Sequence, residues 1–289
     1  MLLNNLTTPL PDRACLTVTG TDATAFLHGQ FCADLLSIPV GGGCLTAWCT
    51  AKGRVITTLF AFRLIDGWAL ILPANLAARV NQRLRMFILR ANVGLHPPAA
   101  DAVLLGLDDN AAGTLNPEQT RRLLRHPAEQ GHIGRFFLLG GVAAAPSPLN
   151  AEEWTRHDVE VGMPWVDAGT SEKFLPQELN LEHWQGLSYT KGCYPGQEIV
   201  ARLRYRGTVK RGLFRLQAAK SLQPVLVSGR SLMNAAGDTV ATVLYTAEGG
   251  TDTLLVLAVV DFTAGSVPVL YCEPGGAQVT VMGPVESNK

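Results

Sequence analysis

The chain has 289 residues, 47% hydrophobic and 17% charged, which is enough apolar material for two or three packed units. Its 24 basic and 24 acidic side chains cancel, which excludes a global field that draws the whole molecule to nucleic acid or membrane. No stretch supplies the roughly 20 apolar residues of a membrane helix. Residues 1–13 lack a basic start and a long apolar run, so we expect no secretory signal and a cytoplasmic location.

The first 98 residues alternate strands and helices in a pattern typical of an α+β layer. The apolar periodicity predicts a strand at 15–19, a helix at 21–36, strands at 43–50, 54–64 and 68–73, and an amphipathic helix at 74–89. The first helix has Thr21 as its predicted N-cap and Asp22 in its first turn, where the helix dipole favours a carboxylate.

A similar set of elements follows, so we predict two ferredoxin-like α+β halves, at 1–98 and 99–211. The second set consists of a strand at 102–108, a helix at 116–126, a strand at 134–140 and a helix at 150–161. Over 212–289 the helical period is lost, and short strand-like runs alternate with Gly, Asp, Asn and Pro. This change predicts a C-terminal β-barrel.

The six cysteines give no sign of a redox pair or a metal site. None of them forms the CxxC motif of thioredoxin-type and zinc-ribbon sites. Cys44 and Cys49 come closest, but their odd spacing in a strand points the two side chains to opposite faces. We therefore expect reduced thiols and no resident metal.

The segment KGCYPGQE, residues 191–198, places Cys193 in a setting that favours a reactive thiol. In an extended segment Lys191 and Cys193 project to the same side, so the ammonium stabilises a thiolate. The PGQE that follows can begin a helical turn, whose N-terminal amides act in the same direction. The alternative is a buried, inert thiol, which is the commoner role of an isolated cysteine. The residues alone leave both interpretations open.

Four further side chains suit the recognition of a flat heteroaromatic ligand. They are Trp154 at the start of a helix, Gln30 and Asp34 one helical turn apart, and Glu160 near the end of a later helix. An aromatic face, with an amide and a carboxylate on an apolar wall, can orient a pterin-like ring. The alternative is a tryptophan that anchors its helix to the core and polar groups that are merely solvated.

Residues 201–215, ARLRYRGTVKRGLFR, are the one dense basic stretch that we identify. As a strand, this stretch places Arg202, Arg204 and Arg206 on one face, where they can hold RNA phosphates or the glutamate tail of a cofactor. The alternative is a charged face that pairs with nearby acidic residues. The sequence lacks the motifs of dinucleotide, P-loop and zinc-protease sites.

The segment KGCYPGQEIVAR resembles the signature of YgfZ-type folate-binding proteins, which are relatives of the aminomethyltransferase (T protein) of glycine cleavage. Other segments resemble the patterns of this family in the same order along the chain. They are LTVTGTDATAFLHGQFCADL, TAKGR, FLPQELNLEHWQGLSYTKGCYPGQE and RGTVKRGLF. The resemblance spans nearly the whole chain and is strongest at 16–60 and 150–215.

The resemblance implies a folate-binding body at 1–211, a C-terminal barrel, and a role in making or maintaining iron–sulfur clusters in client enzymes. Those clients include radical enzymes that thiolate tRNA. Cys193 matches the signature thiol, Lys191 the lysine before it, and Trp154 a tryptophan associated with folate. A second folate-associated aromatic position is Arg13 here. The implied cofactor is tetrahydrofolate or a one-carbon derivative, with its ring near Trp154 and its tail toward basic residues such as Arg202.

The T-protein relatives carry an acidic pair after the glycine turn, where this chain has Thr57 and Thr58. A hydroxyl cannot replace a carboxylate as a charged base at neutral pH, so we predict that aminomethyl transfer in glycine cleavage is absent. Two alternatives to the accessory role are a folate-dependent one-carbon transferase acting on another amine and a non-catalytic tRNA-binding module. The second would use residues 201–215 for its tRNA contact.

Overall fold

The strands form two open sheets and a closed barrel. The computed structural model describes residues 7–97, 104–108, 123–125, 135–139, 151–263 and 268–285. The chain divides into two compact units that interleave along the sequence. The first unit comprises Met1–Trp48, Thr58–Ala151 and Trp184–Tyr194, and the second comprises Cys49–Thr57, Glu152–His183 and Pro195–Lys289.

The two open sheets are built from the N-terminal part of the chain. In chain order their elements are β1 (Thr7–Pro9), β2 (Arg13–Thr19), α1 (Ala23–Gln30), β3 (Gly43–Cys49), β4 (Val55–Leu64), β5 (Gly67–Pro73), α2 (Ala74–Arg85), β6 (Gly94–His96), β7 (Leu104–Asp108), β8 (Leu123–Arg125) and β9 (Arg135–Leu139). One sheet has the order β3-β4-β5-β2-β6 and the other β1-β7-β9-β8. Helix α2 packs on β2 and β5 through its buried residues Leu76, Val80 and Leu84.

The barrel closes in the order β10-β13-β12-β11-β14-β15, so its strands leave no open edge. Its strands are β10 (Arg211–Ala219), β11 (Ser231–Met233), β12 (Thr239–Glu248), β13 (Thr253–Asp261), β14 (Val269–Tyr271) and β15 (Gln278–Pro284). Fully buried aliphatic side chains fill the interior, among them Leu216, Leu232, Val243, Leu254 and Val256. In the sequence, helix α3 (Ala151–Glu160), the 3-10 helix Pro176–Leu179 and helix α4 (Gln197–Arg206) follow β9 and precede β10.

The predicted α+β class with a C-terminal barrel is confirmed. The first helix, however, is shorter than predicted: Asp22 rather than Thr21 is its N-cap, and it ends at Gln30. Phe31, its C-cap residue, is already extended, with φ −101° and ψ 160°. The predicted one-turn spacing of Gln30 and Asp34 on a helix is therefore wrong, because Asp34 lies beyond the helix.

The basic stretch begins as a helix, which corrects the prediction of a strand at 201–206. Helix α4 starts after Gly196, which takes the left-handed conformation at φ 85°, and Glu198 lies in its first turn. On a helix, residues at i and i+4 share a face and i+2 does not. Arg202 and Arg206 therefore share a face that Arg204 does not.

Two further sequence predictions concern segments with little described structure. Residues 123–125 lie in the predicted helix 116–126 but form strand β8, and the rest of that segment lies outside the described residues. The proposed boundaries at 98 and 211 remain predictions. No helix among the described residues is long and apolar enough to cross a membrane.

An aromatic cluster joins the two open sheets. Phe137 on β9 is fully buried, and its ring centroid lies 5.6 Å from that of Phe60 and 6.1 Å from that of Phe62, both on β4. Phe60 and Phe62 are two residues apart on a strand and so share a face. The packing of the second sheet on the first therefore depends on a few large rings.

Replacing Phe137 with alanine is expected to lower the free energy of unfolding by about 3–5 kcal/mol, because the change leaves a cavity between the sheets. Urea denaturation measures this loss. The control is Leu89→Ala, at a site 87% exposed, where we expect a change within about 0.5 kcal/mol. Equal effects of the two changes would contradict the packing described for Phe137.

Candidate functional site

Cys193 is the only exposed thiol among the six cysteines. It lies in the loop before α4, two residues after Lys191. Burial raises the pKa of the Cys15 and Cys44 thiols to about 12, so both are protonated at neutral pH. Accessibility therefore singles out Cys193 as the thiol that can meet a partner or a ligand from solution.

Lys191 is buried, with 8% of its surface exposed, and its ammonium lies at the C-terminal end of α1. The Nζ atom donates to the carbonyl oxygens of His28, of Phe31 at 2.6 Å and of Ala33 at 3.2 Å. Burial lowers the pKa of Lys191 to about 8, with Cys32, Asp34 and Cys44 opposing the shift. The ammonium thus satisfies one carbonyl in the last turn of α1 and two in the buried segment that follows the helix. Activation of Cys193 by Lys191 remains a prediction.

A network of hydrogen bonds ties the loop that carries Lys191 to the segment after α1. The amide of Ser188 donates to the carbonyl of Cys32 at 2.9 Å, and the Thr46 hydroxyl donates to the carbonyl of Gly186 at 3.2 Å. The same hydroxyl accepts from the amide of Ala33 at 2.9 Å. These bonds hold the part of the loop that precedes Lys191 against the segment after α1.

Gln30 and Asp34 are neighbours in sequence of the residues whose carbonyls Lys191 binds: Gln30 precedes Phe31, and Asp34 follows Ala33. The Oε1 atom of Gln30 is buried and has no hydrogen-bond partner among the described residues. Asp34 accepts the amide of Leu36 at 3.1 Å, and its Oδ1 lies 3.4 Å from Nδ1 of His28. Burial, helped by Lys191, lowers the pKa of His28 against the pull of Asp34. Gln30 therefore presents a buried acceptor that can take a donor from a ligand.

In the second unit, two motif turns contact each other through their glycines. Gly53 of the AKGR turn and Gly196 of the PGQE turn have φ angles of 73° and 85°. A Cβ added at Gly196 would lie 2.5 Å from both the Cα of Gly53 and the carbonyl oxygen of Thr50. Both the backbone conformation and the close approach require glycine at residue 196.

The PQEL segment connects these turns to α4 and to the start of the barrel. The Gln177 side chain donates to the carbonyl of Val200 in α4 at 2.7 Å. The carboxylate of Glu178, 7% exposed, accepts from Nε and Nη2 of Arg211 at 2.9 and 3.0 Å. Arg54 of the AKGR turn lies 3.8 Å from the same carboxylate. Sequence reasoning missed Glu178 as an organising residue, although the PQE pattern was part of the resemblance.

The remaining predicted site residues, Trp154, Glu160 and Arg202, lie in the second unit. Trp154 is 5% exposed on α3. Glu160 is exposed at the end of the same helix, 3.8 Å from Arg156 and from His157. Arg202 is exposed on α4. Lys191, Gln30 and Asp34 lie around the end of α1 in the first unit, which also contains Cys193.

Thr57 and Thr58, the residues from which we predict that glycine-cleavage chemistry is absent, are both fully buried in β4. The Thr57 hydroxyl donates to the carbonyl of Val166 at 3.2 Å. Among the described residues, no three His, Cys, Asp or Glu side chains cluster as metal ligands would.

The chain resembles several proteins of known name, although no family model matches it. Two Yersinia pestis proteins, of strain Pestoides F and of biovar Antiqua strain Angola, and one from Yersinia pseudotuberculosis serotype O:3 are each named "tRNA-modifying protein YgfZ". Each is 33% identical over 237 residues, which cover 74% of this chain and 72% of the relative.

A similar fold occurs in the glycine cleavage system aminomethyltransferase T from Bartonella henselae. The TM-score is 0.70, and the match covers 95% of this chain and 84% of that one. At 15% identity, this likeness shows the fold alone.

Gly196→Ala is expected to lower the free energy of unfolding by about 2 kcal/mol or more, because alanine is strained at positive φ and meets backbone. Gly192→Ala is the matched control in the same motif, since a Cβ there meets nothing within 4 Å. We expect the control to stay within about 0.5 kcal/mol of the wild type. Thermal or urea unfolding of both variants measures the two changes. If Gly196→Ala changed the stability as little as Gly192→Ala does, the close packing of the two turns would be refuted.

Proposed function

The chain belongs to the family of tRNA-modifying YgfZ proteins, and from this membership we propose a specific role for it. It is a cytoplasmic, folate-binding accessory protein for the assembly or maintenance of iron–sulfur clusters in a subset of enzymes, including those that thiolate tRNA. The observation that carries the proposal is the exposed Cys193 in the family signature, in a chain whose other thiols are buried or half-buried.

The described residues fit a folate in one respect that can be tested. The buried Oε1 of Gln30 has no hydrogen-bond partner in the part of the chain that the structure describes, and the pterin ring of tetrahydrofolate carries amino and ring N–H donors that suit such an acceptor. We propose Gln30 and Asp34 of the first unit for the polar edge of the ring. Trp154, Glu160 and Arg202, which belong to the second unit, remain predicted ligand residues, with Arg202 for an anionic tail. The bound folate would supply or accept a one-carbon unit.

Cys193 is proposed as the working thiol of this role. A single cysteine cannot hold a four-thiolate cluster, so a cluster handled here would be shared with a client enzyme. The cluster is then cargo, and the protein contributes one accessible sulfur and a folate site. A cysteine thiolate is both a soft metal ligand and a nucleophile, which suits either contact with cargo.

Complementation of a bacterial strain lacking its own homologue tests the proposal. Wild type is expected to restore thiolated tRNA and the activity of a cluster-dependent enzyme, while Cys193→Ala and Cys193→Ser leave both at the level of the empty strain. The control is Thr190→Ala, an exposed change in the same loop, which should complement. The purified Cys193 variants should keep the unfolding temperature and tetrahydrofolate affinity of the wild type. Full rescue by Cys193→Ala would refute the role of the thiol.

A second candidate function, tRNA binding, is favoured by the exposed face of α4. Arg202 and Arg206 share this face with Tyr205, which is 71% exposed, and neither arginine makes an ion pair with the described residues. Guanidinium groups beside an exposed aromatic ring suit RNA phosphates and an unstacked base. The other arginines of 201–215 have protein partners: Arg204 binds Glu182, Arg211 binds Glu178, and Arg215 donates to the carbonyl of Glu160.

If this face binds tRNA, the double change of Arg202 and Arg206 to alanine should weaken binding. The slope of log K against log salt concentration should also become less steep by about 1.5, which corresponds to the loss of two phosphate contacts. Arg204→Ala, which removes an ion-paired charge from the same helix, is the matched control and should leave the salt dependence unchanged. Filter binding of tRNA over a range of salt concentrations measures both. If Arg204→Ala reduced the slope as much per arginine as the double change does, the affinity would come from the overall positive charge of the helix. That result would contradict a specific role of the Arg202 and Arg206 face.

A further inference from the structure

The end of α1 lacks the usual means of closing a helix. Glycine in the left-handed conformation commonly follows a helix and allows the backbone to satisfy the last carbonyls. Here Phe31 follows in the extended conformation, and its amide closes only one bond, to the carbonyl of Leu27. The residues after the helix, Phe31, Cys32 and Ala33, are at most 2% exposed, so water cannot readily satisfy their carbonyls.

The side chain of Lys191 supplies the donors that this buried segment lacks. An ammonium carries three N–H donors, and the carbonyls of His28, Phe31 and Ala33 provide three acceptors. A cation at the C-terminal end of a helix is also favoured by the helix dipole. The contact spans about 160 residues of sequence, as the separation of Phe31 and Lys191 shows.

Two candidate groups of the site lie next to this contact along the chain. Gln30, with its unpartnered Oε1, stands between His28 and Phe31, two of the residues whose carbonyls bind the ammonium. Cys193 follows Lys191 by two residues, and the amide of Lys191 is held by the hydroxyl of Ser188 at 3.2 Å. The ammonium thus links two backbone segments, the one that carries Gln30 and the one that carries Cys193.

We infer that Lys191 is a positioning residue: its ammonium fixes the C-terminal end of α1 and so holds Gln30 in the orientation that binds the ligand. It acts through the backbone carbonyls rather than on the Cys193 sulfur. The ligand part of this inference rests on the proposed folate function, and the contact with α1 does not. Lys191 is then not the activator of the Cys193 thiol that the spacing of the two residues suggests.

The first test separates positioning from activation by following the Cys193 thiol. The rate of Cys193 alkylation by iodoacetamide, read by peptide mass spectrometry, is measured from pH 6 to 10 in wild type, Lys191→Met and Lys191→Arg. Positioning predicts the same midpoint in all three proteins. An activating ammonium predicts a higher midpoint in Lys191→Met than in wild type, and that result would overturn the inference.

The second test asks whether Lys191 acts through Gln30. Tetrahydrofolate affinity is measured by calorimetry for Lys191→Met, Gln30→Leu and the double variant. Each single change is expected to weaken binding about tenfold, the scale of one hydrogen bond to a charged or buried group. The double variant should be no weaker than Lys191→Met alone, and Lys191→Arg should recover part of the loss. Additive losses would show that the two residues act independently.

The third measurement needs no ligand. Amide hydrogen exchange of the peptide covering 28–36 should be faster in Lys191→Met than in wild type, while peptides of the barrel keep their protection. The control is Lys173→Met, which removes a lysine that donates to one carbonyl, that of Gly229. Unchanged exchange at 28–36 would overturn the inference. If wild type binds no tetrahydrofolate, the folate function fails, while exchange and alkylation still decide the role of Lys191.

Discussion

One buried ammonium joins two distant segments of the first unit, the end of α1 and the loop that carries Cys193. The segment after α1 is buried and extended, and its carbonyls cannot be left without donors except at a cost of about 1–3 kcal/mol each. Lys191 meets this requirement from a loop far along the chain. The position of that loop, and with it the position of Cys193, is therefore coupled to the end of a helix near the N-terminus.

Most residues of the family signature that we describe make structural contacts, whereas Cys193 is exposed. Lys191 closes a helix, and Gly196 allows the PGQE turn to approach the AKGR turn. In the PQEL segment, Glu178 binds the first strand of the barrel through Arg211. Within the KGC portion of the signature, Cys193 is left exposed, on a loop that is otherwise held by hydrogen bonds. The loop therefore exposes the thiol close to a backbone position that hydrogen bonds hold.

Much of the fold could be predicted from the sequence, because long apolar strands and the barrel carry strong local patterns. The buried run of β4 and the loss of helical period after residue 212 are examples. The alternation of charged and apolar residues in ARLRYR predicts a strand at 201–206, but these residues form the second half of helix α4. The preceding Gly196 and Glu198 are the local signals that favour a helix.

The site was predictable in its residue types but not in its contacts. The sequence around Cys193 leaves a reactive and a buried thiol open, and the structure shows the exposed one. Spacing along an extended segment predicts that Lys191 activates this thiol. The actual partners of Lys191 are backbone carbonyls that no side-chain pattern marks. The early end of α1 is likewise hidden, since the donor that permits it comes from a distant loop. Long-range contacts of this kind are invisible to local periodicity.

The most direct test of this account is the ionisation of Lys191 itself, followed by NMR of protein labelled at the lysine Cε carbon, with Lys191→Arg used for assignment. We predict a titration midpoint near pH 8, well below the ordinary value of 10.5, and an ammonium whose protons exchange slowly with water. A midpoint that coincides with those of the surface lysines, with fast proton exchange, would show a solvated side chain and contradict the role of Lys191 as the cap of α1.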